Sequence, residues 1–282
     1  MISNSDDLSK NTKTLAFQGE KGAYSEEAAI LFFGPSIKAE PCRSLLEVFK
    51  AVEKGQVDTG IVPAENSLEG SVNQTYDLLL SSKLKVSGEV ILRVSHCLIA
   101  NEKMSLESIK TVYSHPQALA QCRNFLNSLK CEVIPTYDTA GSVKLIKEKK
   151  LMDSCAIASE RAAKIYKMKI LAKGIEDDKN NFTRFFILSK NDSPYTGKDK
   201  TSIIFSTKNI PGALYSALRE FAIRRINLTK IESRPTRITP WEYNFYLDFE
   251  GHRNEDKCKK ALEGLKKKAL FVKILGSYPK WS

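Results

Sequence analysis

Histidine is scarce in this chain: His96, His115 and His252 are the only three, and they stand far apart. No metal-ligand spacing emerges from them. The six cysteines (Cys42, Cys97, Cys122, Cys131, Cys155 and Cys258) form no close pair, and most have apolar neighbours. They read as reduced, buried thiols and not as a disulfide framework. No apolar run approaches the roughly 20 residues that cross a bilayer. The polar stretch Met1–Lys13 lacks the apolar core of a signal peptide and reads as a frayed, disordered tail. A Gly-x-Gly-x-x-Gly dinucleotide fingerprint is also missing. The expectation is a cytoplasmic protein with no metal and no cofactor.

Acidic residues are fewer than basic ones, 33 against 44, for a net charge of +11. A nucleic-acid partner would want basic residues interleaved with aromatics on one face. Here the lysines are scattered, with a local excess at Lys257, Lys259, Lys260, Lys266, Lys267 and Lys268 on an expected surface helix. That pattern reads as a solvated helix face. The positive balance would help attract an anionic substrate. No nucleic-acid or membrane partner is expected.

What is present is an ordinary globular composition, 42% apolar and 27% charged over 282 residues, enough for about two domains. Strands and helices alternate in the first two thirds. Strands are expected at Thr14–Gln18, Val57–Val62, Ile109–Tyr113, Val133–Pro135, Cys155–Ala158 and Phe182–Ser189. Helices are expected from about Ser25 to Phe33, from Ser44 to Lys54, from the Ser114-His-Pro116 turn, from Thr139 to about Lys149, and over Ser159–Tyr166. Leu45, Val48, Phe49 and Val52 keep the helical period. Ser25 and Thr139 are read as N-caps, and Pro116 suits a first helical turn. Alternation of this kind implies an α/β fold with mostly parallel sheet. Residues 191–200 hold little to bury and read as a linker. After them the order becomes βαββαβ, the ferredoxin-like plan, over 201–279. The catalytic region would then span 14–190.

In open α/β sheets, ligands bind beyond the carboxyl ends of the strands, where helix N-termini present free N–H groups. Four polar loops fall at such places: Gly22-Ala-Tyr-Ser25, Glu65-Asn-Ser67, Ser114-His-Pro-Gln117 and Thr139-Ala-Gly141. Together their hydroxyls and amides suit a small anion such as a carboxylate. Asn180-Asn-Phe-Thr-Arg-Phe185 adds two amides, a hydroxyl and a guanidinium at the entry to an apolar strand, where Thr183 and Arg184 would point to opposite faces.

The chain resembles the monofunctional prephenate dehydratases. The resemblance runs in order from residue 14 to 279. It includes Gly19-Glu-Lys-Gly-Ala-Tyr-Ser-Glu-Glu-Ala-Ala29, Val62-Pro-Ala-Glu-Asn-Ser-Leu-Glu-Gly-Ser-Val72, Ser114-His-Pro-Gln-Ala-Leu-Ala-Gln-Cys122, Asp138-Thr-Ala-Gly141 and Asn180-Asn-Phe-Thr-Arg-Phe185. It implies a two-lobed catalytic domain like the type II periplasmic binding proteins, with substrate between the lobes and the chain crossing back near Lys173 to Ser189. It implies an ACT regulatory domain after it. The family's essential threonine falls on Thr183. Ser25, Asn66, Ser67, Ser114, His115, Gln117, Thr139, Ala140 (through its N–H), Arg184 and Phe185 become candidates for holding prephenate. His115 is also a candidate second proton donor, or a helix cap. Arg184 is a candidate for a substrate carboxylate or for an internal acid.

Two further motifs resemble the phenylalanine sites of ACT domains. They are Asn209-Ile-Pro-Gly-Ala-Leu214, giving Asn209, Pro211, Gly212, Ala213 and Leu214, and Glu232-Ser-Arg-Pro235, giving Glu232, Ser233 and Arg234. The resemblance therefore implies feedback inhibition by L-phenylalanine, bound between subunits of a homodimer or tetramer. It also implies that a chain cut at about residue 200 stays active but insensitive. Arogenate dehydratases share these motifs, so arogenate is the alternative substrate. A non-catalytic amino-acid sensor is the alternative from another class.

Overall fold

The computed structural model describes residues 13–236 and 241–281. The tail expected over Met1–Lys13 lies outside them except for Lys13, whose carbonyl accepts the Lys38 N–H at 3.3 Å. The chain forms two compact units, 1–75 with 90–185 and 76–89 with 186–282.

The first unit opens with β1 (Thr14–Gln18), α1 (Tyr24–Phe33), β2 (Lys38–Cys42), α2 (Leu45–Glu53), β3 (Thr59–Asn66) and β4 (Gly70–Ser71). Helix α3 (Asn73–Ser81) and strand β5 (Lys85–Arg93) carry the chain through the second unit and back. A second lobe follows: β6 (Cys97–Ala100), β7 (Thr111–Ser114), α4 (Pro116–Gln121), α5 (Arg123–Leu129), β8 (Glu132–Pro135), α6 (Thr139–Glu148), β9 (Ser154–Ala158), α7 (Glu160–Tyr166) and β10 (Lys169–Lys173). Then β11 (Phe182–Ser189) returns to the first sheet, whose order is β2-β1-β3-β11-β5 with β4 beside β3. The second sheet runs β10-β6-β9-β7-β8.

Two lobes joined by two crossings, β5 to β6 and β10 to β11, make the α/β plan of the periplasmic binding proteins. The sheets are mixed, not mostly parallel. Strand β1 pairs in parallel with β2 and β3, while β6 pairs antiparallel with β9 and β10. The crossing strand β6 enters its sheet from the opposite end, which reverses its direction.

The strand expected over Val57–Val62 runs on through Pro63 to Asn66. The last β1 partner in that strand is Ile61, so Pro63 lies past the β1 ladder, where its missing N–H leaves no β1 bond unmade. The strand therefore carries Asn66 to its carboxyl end. Strands β2 and β10 were not expected. Their faces are half-exposed and alternate poorly, so no period marked them.

Helix caps also differ from expectation. Ser25 lies inside the first turn of α1, whose N-cap is Ala23. The orphan Gly22 N–H goes instead to Glu26 Oε2 at 2.7 Å. Asp138, not Thr139, caps α6, accepting the Ala140 N–H at 2.8 Å. Asp138 has the extended backbone of an N-cap, from which its carboxylate reaches the Ala140 N–H, whereas Thr139 is already inside the helix.

The second unit completes the chain with β12 (Asp199–Ser206), α8 (Ala213–Ala222), β13 (Leu228–Pro235), β14 (Tyr243–Glu250), α9 (Asp256–Lys266) and β15 (Phe271–Pro279). Its sheet has the order β13-β14-β12-β15. Strand β12 takes up the last two residues of the stretch read as linker, because Asp199 and Lys200 already pair with β15. Ile203, Phe205, Leu247 and Phe249 pack under Ala217, Phe221, Ala261, Leu262 and Leu265 of the two helices. This is the ferredoxin-like arrangement expected.

Segment 76–89 belongs to this unit. Tyr76 packs edge-on against Tyr246 and Phe186, and Phe186 against Tyr278. A Cβ on Gly276 would lie 2.0 Å from the Val86 carbonyl oxygen, so β15 approaches β5 as only glycine allows.

Candidate active site

Within the first unit, one cavity of about 170 Å³ opens between the lobes. From the first lobe its wall takes Gln18, Gly19, Ala23, Tyr24, Ser25, Pro63, Asn66, Val94, Thr183 and Phe185. From the second it takes His115, Gln117, Ala118, Gln121, Tyr137, Asp138 and Thr139, with His96 at the crossing between them. Every expected loop thus contributes to the wall. Helices α1 and α6 start there, so their positive dipole ends face the space.

Seven expected substrate-site residues line the cavity: Ser25, Asn66, His115, Gln117, Thr139, Thr183 and Phe185. Four do not, each for a stated reason. Ser67 Oγ donates to the Asn180 carbonyl at 2.7 Å and accepts the Phe182 N–H at 2.9 Å, stapling the entry of β11 to the end of β3. Ser114 is fully buried and donates to the Ile157 carbonyl at 2.6 Å, tying β7 to β9. The Ala140 N–H is taken by Asp138. Arg184 points away from the cavity, as strand alternation requires, and lies 3.6 Å from Glu65. Of the two roles open to Arg184, this contact fits the pairing with an internal acid.

No lysine or arginine is among the described residues of the wall. An anion would be held by neutral donors and helix ends. Thr183 Oγ1 accepts from Asn66 Nδ2 at 3.0 Å. His115 Nδ1 accepts the Gln117 N–H at 3.2 Å, the capping role. Burial lowers its pKa, so the imidazole is neutral and its Nε2–H is the group left to donate.

Asp138 is the one acid in the wall. Burial raises its pKa against hydrogen bonds from the Glu20, Gly141 and Ala140 N–H groups. The Glu20 bond is 2.8 Å long and joins the lobes. Ser159, at the start of α7, donates to the Gly22 carbonyl at 2.6 Å. A Cβ on Gly22 would meet Ala162 Cα at 2.7 Å, so the loop sits against α7 only because this residue has no side chain. The Gly19-Glu-Lys-Gly22 turn is accordingly the clasp between lobes.

Tyr24, His96, Gln121, Tyr137 and Asp138 line the wall without having been singled out. Tyr24, Gln121 and Asp138 stood inside the quoted motifs. Nothing local marks His96, which the bend between β5 and β6 brings in.

Burial lowers the His96 pKa, against the pull of its Gln121 hydrogen bond. The unfolded chain takes up this proton near pH 6.5, and the folded chain only at lower pH. Stability from the neutral imidazole is therefore complete above that value and is lost as pH falls through it. His96→Gln removes the titration. The gap in Tm between wild type and variant should narrow between about pH 7.5 and about 5.5. A gap independent of pH would mean that His96 is not held neutral.

The prephenate dehydratase family profile matches residues 15–193, and the ACT domain profile matches 201–267. A bifunctional chorismate mutase/prephenate dehydratase of Aquifex aeolicus is 45% identical over 97% of this chain and 75% of its own length. An arogenate dehydratase/prephenate dehydratase of Arabidopsis thaliana is 47% identical over 94% of this chain and 72% of its own. Among solved structures, a prephenate dehydratase of Arthrobacter aurescens in complex with L-Phe superposes with TM-score 0.86 at 31% identity, covering 95% of this chain and 90% of that one. GqqA, described as a novel type of quorum quenching acylase, superposes with TM-score 0.87 at 33% identity over 95% and 98% of the two chains. No helix among the described residues is long and apolar enough to cross a membrane.

Proposed function

The chain belongs to the prephenate dehydratase family, and on that premise we propose that it converts prephenate to phenylpyruvate in the cavity between its lobes, under feedback inhibition by L-phenylalanine. The observation that carries this reading is the Thr183 hydroxyl, bonded to Asn66, in a cavity wall that also holds the starts of α1 and α6. Prephenate carries two carboxylates and a ring hydroxyl. Loss of CO2 and water makes the ring aromatic, which supplies most of the driving force. The protein must grip both carboxylates, exclude water and help hydroxide leave.

Asn66 donates to Thr183 Oγ1, which leaves the threonine proton for the departing hydroxyl. Thr183 acts mainly by orientation and by stabilising the charge that develops on that oxygen, since a threonine is a poor acid. Ser25, Gln117, Thr139 and the His115 Nε2–H hold the carboxylates and ring as neutral donors. Phe185 packs against the ring. The test is turnover of the purified full chain on prephenate and, beside it, on arogenate, each with and without phenylalanine. Phenylpyruvate formation suppressed by phenylalanine is expected. Conversion of arogenate alone, or of neither, would overturn the reading.

The effector site is proposed at a second cavity, about 110 Å³, whose wall includes Asn209, Ala213, Leu214, Trp241 and Tyr243. Pro211 and Gly212 form the turn that starts α8. Glu232, Ser233 and Arg234 stand on β13 outside that wall. Arg234 is buried, pairs with Asp77 Oδ1 at 3.0 Å and lies over the Tyr246 ring. That pair ties β13 to α3. Lys273 holds the same helix, donating to the Leu80 and Ser82 carbonyls at 2.7 and 2.6 Å.

Helix α3 begins just after β4, whose Gly70 pairs with Asn66. A shift of α3 on phenylalanine binding would thus reach the amide that touches Thr183. Asp77→Ala should keep near-wild-type turnover and calorimetric phenylalanine binding. It should weaken inhibition about five-fold or more, the scale of a typical coupling energy. Unchanged inhibition would remove α3 from the route. The remaining proposals are a cytoplasmic homodimer or tetramer joined through the ACT domains.

A further inference from the structure

The polar groups behind Thr183 have a direction that backbone geometry fixes at one end. Asn66 Oδ1 accepts the N–H groups of Leu68 at 3.0 Å and Glu69 at 3.1 Å. Its amide nitrogen must therefore face β11, where it lies 2.7 Å from Asn181 Oδ1, 3.0 Å from Thr183 Oγ1 and 3.2 Å from the Phe182 carbonyl. With Oδ1 so used, Asn181 presents its own nitrogen to Gln121 Oε1 at 2.8 Å. That oxygen is also 3.0 Å from His96 Nε2, so the imidazole carries its proton there. His96 Nδ1 is then an acceptor, and the single Tyr24 hydroxyl proton is shared between it at 2.9 Å and the Ser95 carbonyl at 2.8 Å.

Two groups come out of this chain unspent. Thr183 Oγ1 accepts the Asn66 N–H and keeps its own O–H free for the cavity. Gln121 Nε2 is buried and has no partner among the described residues, although Gln121 lines the cavity. A buried donor left without a partner is costly, which favours an oxygen brought within its reach.

We infer that Asn181 is a positioning residue for the dehydration. It is fully buried and forms no part of the cavity wall. Among the described residues it bridges the Asn66 amide of one lobe to the Gln121 amide of the other, and so holds the amide that aims the Thr183 hydroxyl at the substrate. This rests on the proposed role of Thr183.

The test compares Asn181→Ser with Asn181→Ala, which differ by one oxygen. A serine hydroxyl can accept from Asn66 and donate onward to Gln121, whereas alanine can do neither. Asn181→Ala should lower kcat on prephenate between about ten- and a hundred-fold, the scale of a misplaced reacting group. Asn181→Ser should recover a clear part of that loss at a similar Tm. In a Gln121→Ala background, Asn181→Ala should cost much less than it does alone, because the two act through one amide contact. Equal kcat for the serine and alanine variants, or losses that multiply in the double variant, would overturn the inference. Wild type is measured alongside. Its failure on prephenate would defeat the functional reading, whereas an active wild type with indifferent Asn181 variants would defeat this inference alone.

Discussion

Thr183→Ala is expected to lower kcat on prephenate by about a hundred- to ten-thousand-fold, the range that proton transfer from a positioned group contributes. KM should change much less, because the hydroxyl is asked to act on the leaving group and not on either carboxylate. The fold should survive. Thr183 is only half-buried, and its hydroxyl adds one bond, to Asn66, in a network whose other members remain paired. The checks are steady-state kinetics with a thermal melt of the same preparation. A variant at near-wild-type kcat would take Thr183 out of the chemistry, and a collapse of Tm would make its role structural.

The second large effect concerns stability. Lys200 Nζ sits 2.9 Å from Glu89 Oε2 and 3.1 Å from Oε1, with both side chains almost wholly inside the second unit. The Trp281 N–H also bonds Glu89, at 3.2 Å. Lys200→Ala would strand a carboxylate in a low-dielectric setting without its ion-pair partner. Breaking one side of such a pair costs about 3–5 kcal/mol, so Tm should fall by something on the order of 10 °C. Lys200→Met paired with Glu89→Leu should recover most of the loss, since a well-packed apolar pair avoids the desolvation of both ions. Differential scanning calorimetry of the two variants beside wild type decides it. A single variant as stable as wild type would mean that Glu89 reaches water.

The same contacts revise the expectation for a chain cut at residue 200. Tyr76 and Phe186 are buried against Tyr246 and Tyr278, which lie beyond the cut. Their exposure would leave an apolar patch where the ferredoxin-like sheet had been, a feature soluble monomers avoid. The truncated protein should aggregate, and Asp77→Ala is the cleaner way to separate turnover from inhibition.

How much of this the sequence carries depends on range. Hydrophobic period and turn chemistry are local, and they place most helices and the βαββαβ order. The four polar loops reach the cavity because strand ends and helix starts are also local signals. What fails is long-range. Ser114 and Ser67 look like binding residues in sequence, and only the pairing of β7 with β9 and of β3 with β11 turns them into staples. Arg234 stands in a motif, but only the fold brings Asp77 beside it. Segment 76–89 reads as part of the first domain because chain order says nothing of which sheet will cover Tyr76. His96 stands in no motif, and it matters only because two crossings bring it against Gln121. The mixed direction of the second sheet is likewise set by where β6 enters, which no period records.

The Thr183 hydroxyl in a cleft of neutral donors is the claim on which the rest stands. It is tested most directly by kcat on prephenate for Thr183→Ser beside Thr183→Val. Serine keeps the oxygen and valine keeps the shape. Serine within about ten-fold of wild type and valine slower by about a hundred-fold or more is the expected result. Valine matching serine would contradict it.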